Sequence, residues 1–253
     1  MKDYLLVGQS LFHNHKEGAM TTVGILGTGR MGVRLAEAFA KAGTHVILGS
    51  RDPQRAERIV NGLQVSGLTP GSYEQAVKAE FILPAMFLRD GMVATLQPYH
   101  RALAGKIFID ITNPFNDDYS DFILPWDTSG AEELQRQFPE TRIVGAFKNV
   151  WWEVFDAPMF DGTVSDVFVV GDDQAAKQAF LNMVEPLPFR FVDAGRLANA
   201  RVVERMTLLS GELGQRYGYF PRMNYRFVGE PWRPGSADRY AHLIAPTREG
   251  GAR

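Results

Sequence analysis

The chain has 253 residues, 45% of them hydrophobic, and a formal net charge of −2, enough to bury a substantial core in one domain or one and a half. That balance offers no strong field for nucleic acid or an anionic membrane, and no stretch approaches the roughly 18 apolar residues of a membrane-crossing helix. With no cysteine, disulfides, thiolate metal sites and a cysteine nucleophile are excluded, and the composition suits a cytoplasmic protein.

Residues 1–20 read as an N-terminal extension ahead of a second possible start at Met20. The apolar patch Tyr4–Val7 is followed by the charged segment His13–Glu17, where a signal peptide would place small residues. From Val23 the pattern becomes strand, glycine turn, helix, strand. The apolar run Val23–Leu26 leads into Gly27-Thr28-Gly29-Arg30-Met31-Gly32, a helical pattern follows, and His45–Leu48 forms a second apolar run. In that context G-x-G-x-x-G reads as a dinucleotide-binding turn. Gly27 permits the tight turn, Gly29 lets backbone amides approach a pyrophosphate, and Gly32 lets the helix pack closely on the strand. The helix N-terminus adds amide donors and positive dipole charge.

The end of the second strand selects the cofactor. An acid there would bond a ribose 2′-hydroxyl and repel a 2′-phosphate, but this chain has Ser50 and Arg51, with Arg55 one helical turn further on. Those residues favour NADP(H).

The alternation continues. Tyr73–Lys78 reads as a helix, Phe81–Met86 as a buried strand, Arg89–Leu103 as a helix broken near Pro98, and Lys106–Thr112 as a strand ending at Asn113-Pro114. Ala131–Gln137 reads as a helix and Arg142–Phe147 as a strand. Continuous apolar strands alternating with helices predict an α/β fold, a doubly wound parallel sheet of the Rossmann kind. Ligands of such sheets sit beyond the carboxyl ends of the strands, which makes Met86, Phe87, Asn113, Pro114, Lys148 and Asn149 candidate cleft residues. Met86, Asn113 and Pro114 are assigned to the cofactor.

Lys148 and Asn149 are the candidates for catalysis, as donors to developing negative charge or of a proton. An ion pair with Glu153 or a solvent-facing position is the competing reading of Lys148. Trp151, Trp152 and Phe155 are candidates for stacking on a planar acceptor, with plain core packing as the alternative. Further on, Val164–Val170, Gln174–Val184, Phe189–Val192 and Leu197–Tyr217 read as strand, helix, strand and long helix, and Gly218–Pro246 has no regular period. Asp172 and Asp173 precede a helix and read as capping residues, so no metal is assigned. No histidine spacing or glycine-flanked serine supports a hydrolase.

The segments TVGILGTGRMG, VILGSRDP, GKIFIDITNPF, RIVGAFKNV and FVVGDDQAAKQAFLNMVEPLPFRFVDAGRLANARVVERMTLLSGELG together resemble the NADPH-dependent deazaflavin-coenzyme (F420) reductases. Their wider relatives include the nucleotide-binding domain of the six-transmembrane epithelial antigen metalloreductases. The likeness spans about residues 21–228. It implies a Rossmann domain with a small C-terminal α/β lobe, bound NADPH, an acceptor over the nicotinamide between the two, and a homodimer. Three departures lie on the acceptor side: Lys148 where Asn or His is usual, the bulky Trp151–Trp152 pair, and some 25 residues after Val228.

The resulting expectation is an NADPH-dependent oxidoreductase. It would pass hydride to a small-molecule acceptor, either a deazaflavin or a small carbonyl, imine or enone. The alternatives are an NADP(H)-binding sensor without catalysis and a flavin-linked electron-transfer module. The expected organisation is an extension over 1–20, an NADP-binding domain over 21–160, a small lobe over 161–228 and an irregular tail over 229–253.

Overall fold

A computed structural model describes residues 21–230; the expected extension over 1–20 and the tail beyond 230 lie outside the described residues. Strand β1 (Thr22–Leu26) passes through the glycine turn into helix α1 (Arg30–Lys41) and returns as β2 (His45–Gly49). The helix buries Gly32, Leu35, Ala36, Phe39 and Ala40, one stripe at helical spacing. Next comes α2 (Pro53–Leu63), with Pro53 in its first turn and an Asp52 side chain accepting from the Arg55 amide.

Sequence periodicity gives no hint of the following strand, β3 (Leu68–Gly71), because its residues are Leu-Thr-Pro-Gly. It pairs with β2 from Val46↔Leu68 to Gly49↔Gly71. As the sheet's edge strand it tolerates Pro70. After α3 (Tyr73–Ala76), β4 (Phe81–Pro84) is two residues shorter than predicted. The helix predicted over Arg89–Leu103 is instead four short pieces. Two are 3₁₀ turns, Leu88–Asp90 and Gln97–Tyr99, and two are helices, α4 (Met92–Leu96) and α5 (His100–Leu103). Gly91 at φ +80 makes the first break, and Pro98 stands at the second.

Strand β5 (Ile107–Asp110), α6 (Gly130–Gln137) and β6 (Arg142–Gly145) finish the sheet. Its order is β3-β2-β1-β4-β5-β6, all parallel. The order reverses between β1 and β4, which opens a crevice above their carboxyl ends.

A short hairpin, β7 (Met159–Phe160) with β8 (Thr163–Val164), precedes a second sheet. There β9 (Asp166–Val169) runs parallel to β10 (Arg190–Asp193) around α7 (Gln174–Val184). Asp173 caps α7 through the Ala176 amide, and Asp172 accepts from the Leu197 amide. An antiparallel bridge, Gly145↔Val170, joins this lobe to β6. One apolar cluster then runs from Val23 and Phe39 through Phe147 to Phe180 and Leu187. Phe147 is its hub: at φ +56 and 1% exposed, it meets the rings of Phe39, Phe155, Phe180, Phe189 and Phe191.

The chain ends its described course with a 3₁₀ turn, Leu197–Asn199, helix α8 (Ala200–Tyr217) and a strap over 218–230. The strap is tied to the smaller lobe. Asp166, its side chain fully buried, accepts from Arg190 at 2.6 and 2.5 Å, from Arg226 at 3.2 Å and from the Phe227 amide at 2.6 Å. Burial pushes the Asp166 carboxyl up, but the Arg190 bonds and the Phe227 amide outweigh it and hold it below the usual carboxylate range.

Candidate active site

Each glycine of the first turn occupies a different steric situation. Gly27 has φ +127, and a Cβ there would lie 2.6 Å from the Ala85 carbonyl oxygen. A Cβ on Gly32 would lie 2.2 Å from the Gly27 carbonyl oxygen, so helix and turn touch through backbone alone. A Cβ on Gly29 would meet nothing within 4 Å, and the backbone there is extended, φ −82 and ψ −177. Above Gly29, then, is open space bordered by the first amides of α1. That helix has no side-chain cap and no acid in its first turn, whereas α2, α3, α6 and α7 are all capped by side chains. Free N–H groups facing open space are the donor set that a pyrophosphate requires.

A cavity of about 880 Å³ adjoins this turn. Gly29, Arg30 and Met31 line it from α1, Ala85, Met86 and Phe87 from the end of β4, and Ile111, Thr112, Asn113 and Phe115 from the end of β5. Val150, Trp151 and Trp152 follow β6, and Thr207, Leu208, Gly211, Glu212 and Gln215 roof the cavity from α8. Asp118, Tyr119 and Ser120 form one rim and Phe220 of the strap another.

The walls are largely aromatic. Trp151 and Trp152 meet edge to face at 5.8 Å, and Phe220 packs on both, at 4.9 and 5.5 Å. The Arg30 guanidinium lies 4.9 Å from the Trp152 ring, and Arg34 binds Asp156 through three contacts of 2.9–3.1 Å. The tryptophan wall is thereby fixed to α1.

Of the predicted cofactor residues, Gly29, Arg30, Met31, Met86 and Asn113 line the cavity. Thr28 adjoins it, its carbonyl accepting from Arg55 at 3.2 Å. Ser50 and Arg51 lie outside the cavity at the end of β2, with the Ser50 hydroxyl accepting from the Asp52 amide at 3.1 Å. Pro114 is buried and supports the following loop, its carbonyl accepting from Ile123. Phe155 does not line the cavity. It packs on Phe147 and Phe189 at 5.6 and 5.4 Å, so the core-packing alternative describes it.

Lys148 and Asn149 require the larger correction, since neither lines the cavity and both are 0% exposed. Lys148 Nζ donates to the Thr112 carbonyl at 2.6 Å and to Glu204 Oε1 at 2.9 Å. It also makes a charge contact with Asp110 Oδ2 at 2.6 Å, and all three ionic side chains are fully buried. Burial pulls the ammonium's pKa down, but the charges of Asp110 and Glu204 pull it up further, leaving it above its ordinary value. With its three donors engaged and its proton held tightly, Lys148 has nothing to offer an acceptor. Neither Glu153 nor solvent is its partner.

Asn149 is equally committed. It donates to the Asp166 carbonyl and to Asn224 Oδ1 and accepts from the Phe168 amide. It joins the sheet to the smaller lobe and the strap.

Glu204 also accepts from the Gly130 and Ala131 amides at 2.9 and 3.2 Å, the N-terminus of α6. Asn113 and Thr207 both donate to the Lys148 carbonyl. The ends of β5 and β6, the start of α6 and the inner face of α8 thus share one polar junction beneath the cavity. An Asp inside the apolar run KIFIDIT was the available sign of a buried charge needing a partner. The rim residues Phe115 and Tyr119 and the α8 roof escaped the sequence reading. Strand ends can be read locally, whereas the helix face covering them is set by long-range packing.

Comparison with known proteins adds five findings. The family described as NADP oxidoreductase, coenzyme F420-dependent, matches residues 22–114. The F420-dependent NADP reductase of Methanothermobacter marburgensis is 33% identical over 202 residues, covering 72% of this chain and 87% of that protein. Metalloreductase STEAP3 of Rattus norvegicus is 34% identical over 187 residues, 74% of this chain; the chain spans 36% of that longer protein. Among solved structures, one provisionally assigned as an F420-dependent NADP-reductase from Arthrobacter sp. FB24 superposes with a TM-score of 0.73 at 25% identity, over 83% of this chain and all of that one. An imine reductase from Bacillus cereus, at TM-score 0.58 and 15% identity over 78% of this chain and 63% of that one, shares the fold.

Proposed function

The chain belongs to the F420-dependent NADP reductase family, and on that premise we propose that its cleft moves hydride between NADP(H) and a planar organic acceptor. The acceptor is a deazaflavin or a small carbonyl, imine or enone. The observation that carries this reading is the open space over Gly29, beside the uncapped start of α1, at the edge of an aromatic-walled cavity. The chain is an NADP-dependent oxidoreductase. Gly27 to Gly32 hold the pyrophosphate, Ser50, Arg51 and Arg55 the 2′-phosphate, and Met86 and Asn113 the nicotinamide half. When bound, NADPH supplies the hydride. The chain's own residues contribute orientation and exclusion of water, with Trp151, Trp152 and Phe220 facing the acceptor.

NADPH should bind at least about tenfold more tightly than NADH, as one charge-assisted bond contributes roughly 1.5–3 kcal/mol. Arg51→Ala should remove most of that preference, measured as dissociation constants by cofactor fluorescence. Equal constants in the parent protein would contradict the 2′-phosphate assignment. A panel of deazaflavin, carbonyl, imine and enone acceptors, followed by NADPH consumption, tests the reaction itself.

Association of two copies belongs to the same reading, as does a cytoplasmic location. Along α8, Val202, Leu209, Leu213 and Tyr217 stay exposed, and sedimentation of the full chain as a monomer would count against a dimer. No helix among the described residues is long and apolar enough to cross a membrane.

A further inference from the structure

Reducing a neutral carbonyl, enone or deazaflavin ring takes a proton as well as a hydride, and Lys148 is locked away from the cavity. The other polar groups around the cavity are largely committed. The Thr207 hydroxyl donates to the Lys148 carbonyl, the Thr112 hydroxyl to Met92 Sδ, the Ser120 hydroxyl to Asp118 and the Trp151 indole to Ser210. Hydrogen bonds from Ser120 hold the Asp118 carboxyl below its usual range, so it carries no proton near neutrality. The Arg30 guanidinium is engaged over the Trp152 ring, 4.9 Å from its centroid.

Tyr119 differs on three counts. It lines the cavity, and its hydroxyl makes no hydrogen bond to the described residues. Its backbone lies at φ +63, a left-handed conformation that a bulky side chain seldom adopts and that surrounding contacts must maintain. Those contacts are present: the Arg89 guanidinium sits 4.5 Å from the centroids of both the Tyr119 and Phe87 rings while donating to the Phe115 and Asn116 carbonyls. Phe115 packs on the same ring at 5.3 Å. The strain is thus held in place at the one uncommitted phenol of the rim.

We propose that Tyr119 is the proton donor to the acceptor, an inference that rests on reading this cleft as the site of hydride transfer. As hydride forms the new C–H bond, the π pair of the acceptor C=O or C=N moves to the heteroatom, directly in a carbonyl or imine and through the conjugated C=C bond in an enone or deazaflavin. The phenol O–H then breaks to protonate that atom. The phenolate left behind regains a proton from water, which reaches a side chain that is 48% exposed. A preformed cationic iminium needs no such step, because its nitrogen simply takes back the π pair.

Tyr119→Phe keeps the ring on Arg89 and removes only the hydroxyl. The proposal expects kcat for a neutral carbonyl, enone or deazaflavin acceptor to fall by about 10²–10⁴. With an N-alkyl cyclic iminium the rate should stay within about threefold, as should NADPH affinity. Binding of an inert lactam analogue, read by tryptophan quenching, should weaken about 2–10-fold for one lost hydrogen bond. Equal losses for neutral and cationic acceptors would mark a merely structural role and overturn the proposal, as would no loss for either. A parent protein that reduces only cationic acceptors would also overturn it. One that binds no NADPH, or reduces neither class, would sink the hydride-transfer reading and this role with it.

Discussion

Lys148→Met should destabilise the protein by about 3–5 kcal/mol, the usual cost of removing one partner from a buried ionic cluster. The change leaves Asp110 and Glu204, both 0% exposed, facing each other without a counter-ion. It also strips the Thr112 carbonyl of its 2.6 Å donor. In a chain of this size the thermal midpoint should drop on the order of 10 °C. Urea unfolding gives the free energy directly, and the double variant Lys148→Met/Glu204→Gln should recover part of the loss, since it removes one stranded charge. A loss below about 1 kcal/mol would show that the cluster relaxes by admitting water. Turnover per folded molecule should change far less than stability, which separates this role from the proton donation that a strand-end lysine suggests.

That reversal shows where sequence reasoning stops. The residue type and the strand end were legible at position 148, yet two of its partners sit 38 and 56 positions away in sequence, Asp110 on β5 and Glu204 on α8. Nothing local distinguishes a lysine aimed at a ligand from one turned into the protein. The glycine turn was legible because its constraints are local: φ at Gly27 and close approach at Gly32 follow from two or three neighbouring peptides. The parallel, helix-covered character of the main sheet followed from alternation, apart from β3, whose Leu-Thr-Pro-Gly sequence has neither apolar run nor alternation. Phe155 and the broken Arg89–Leu103 segment failed for the reason that governs Lys148, that packing partners decide between readings which local pattern leaves equal.

Gly29→Val should abolish dinucleotide binding while leaving the fold intact. A valine side chain meets nothing within 4 Å of its first atom, and the extended backbone at this position suits a β-branched residue. The branched methyls project instead into the space over the α1 amides, where the pyrophosphate must approach. NADPH affinity should fall by about 10²-fold or more, roughly 2.8 kcal/mol at 1.4 kcal/mol per decade. The unfolding midpoint should stay close to that of the parent. Gly32→Ala is the informative contrast: its new methyl would stand 2.2 Å from the Gly27 carbonyl oxygen, so that variant should lose stability as well as binding. Normal NADPH affinity in a folded Gly29→Val protein would show that the turn only connects strand to helix.

The junction of Asp110, Lys148 and Glu204 also bears on how this sequence is free to drift. Glu204 neutralises the lysine while capping α6, and the lysine binds the Thr112 carbonyl just past β5 while its own carbonyl holds Asn113 and Thr207. A single replacement at any of the three positions strands a charge or an amide in the interior. Viable descendants are therefore reached by paired or triple exchanges, such as an apolar trio of matching volume together with a new cap for α6. Positions 110, 148 and 204 should tolerate change only together.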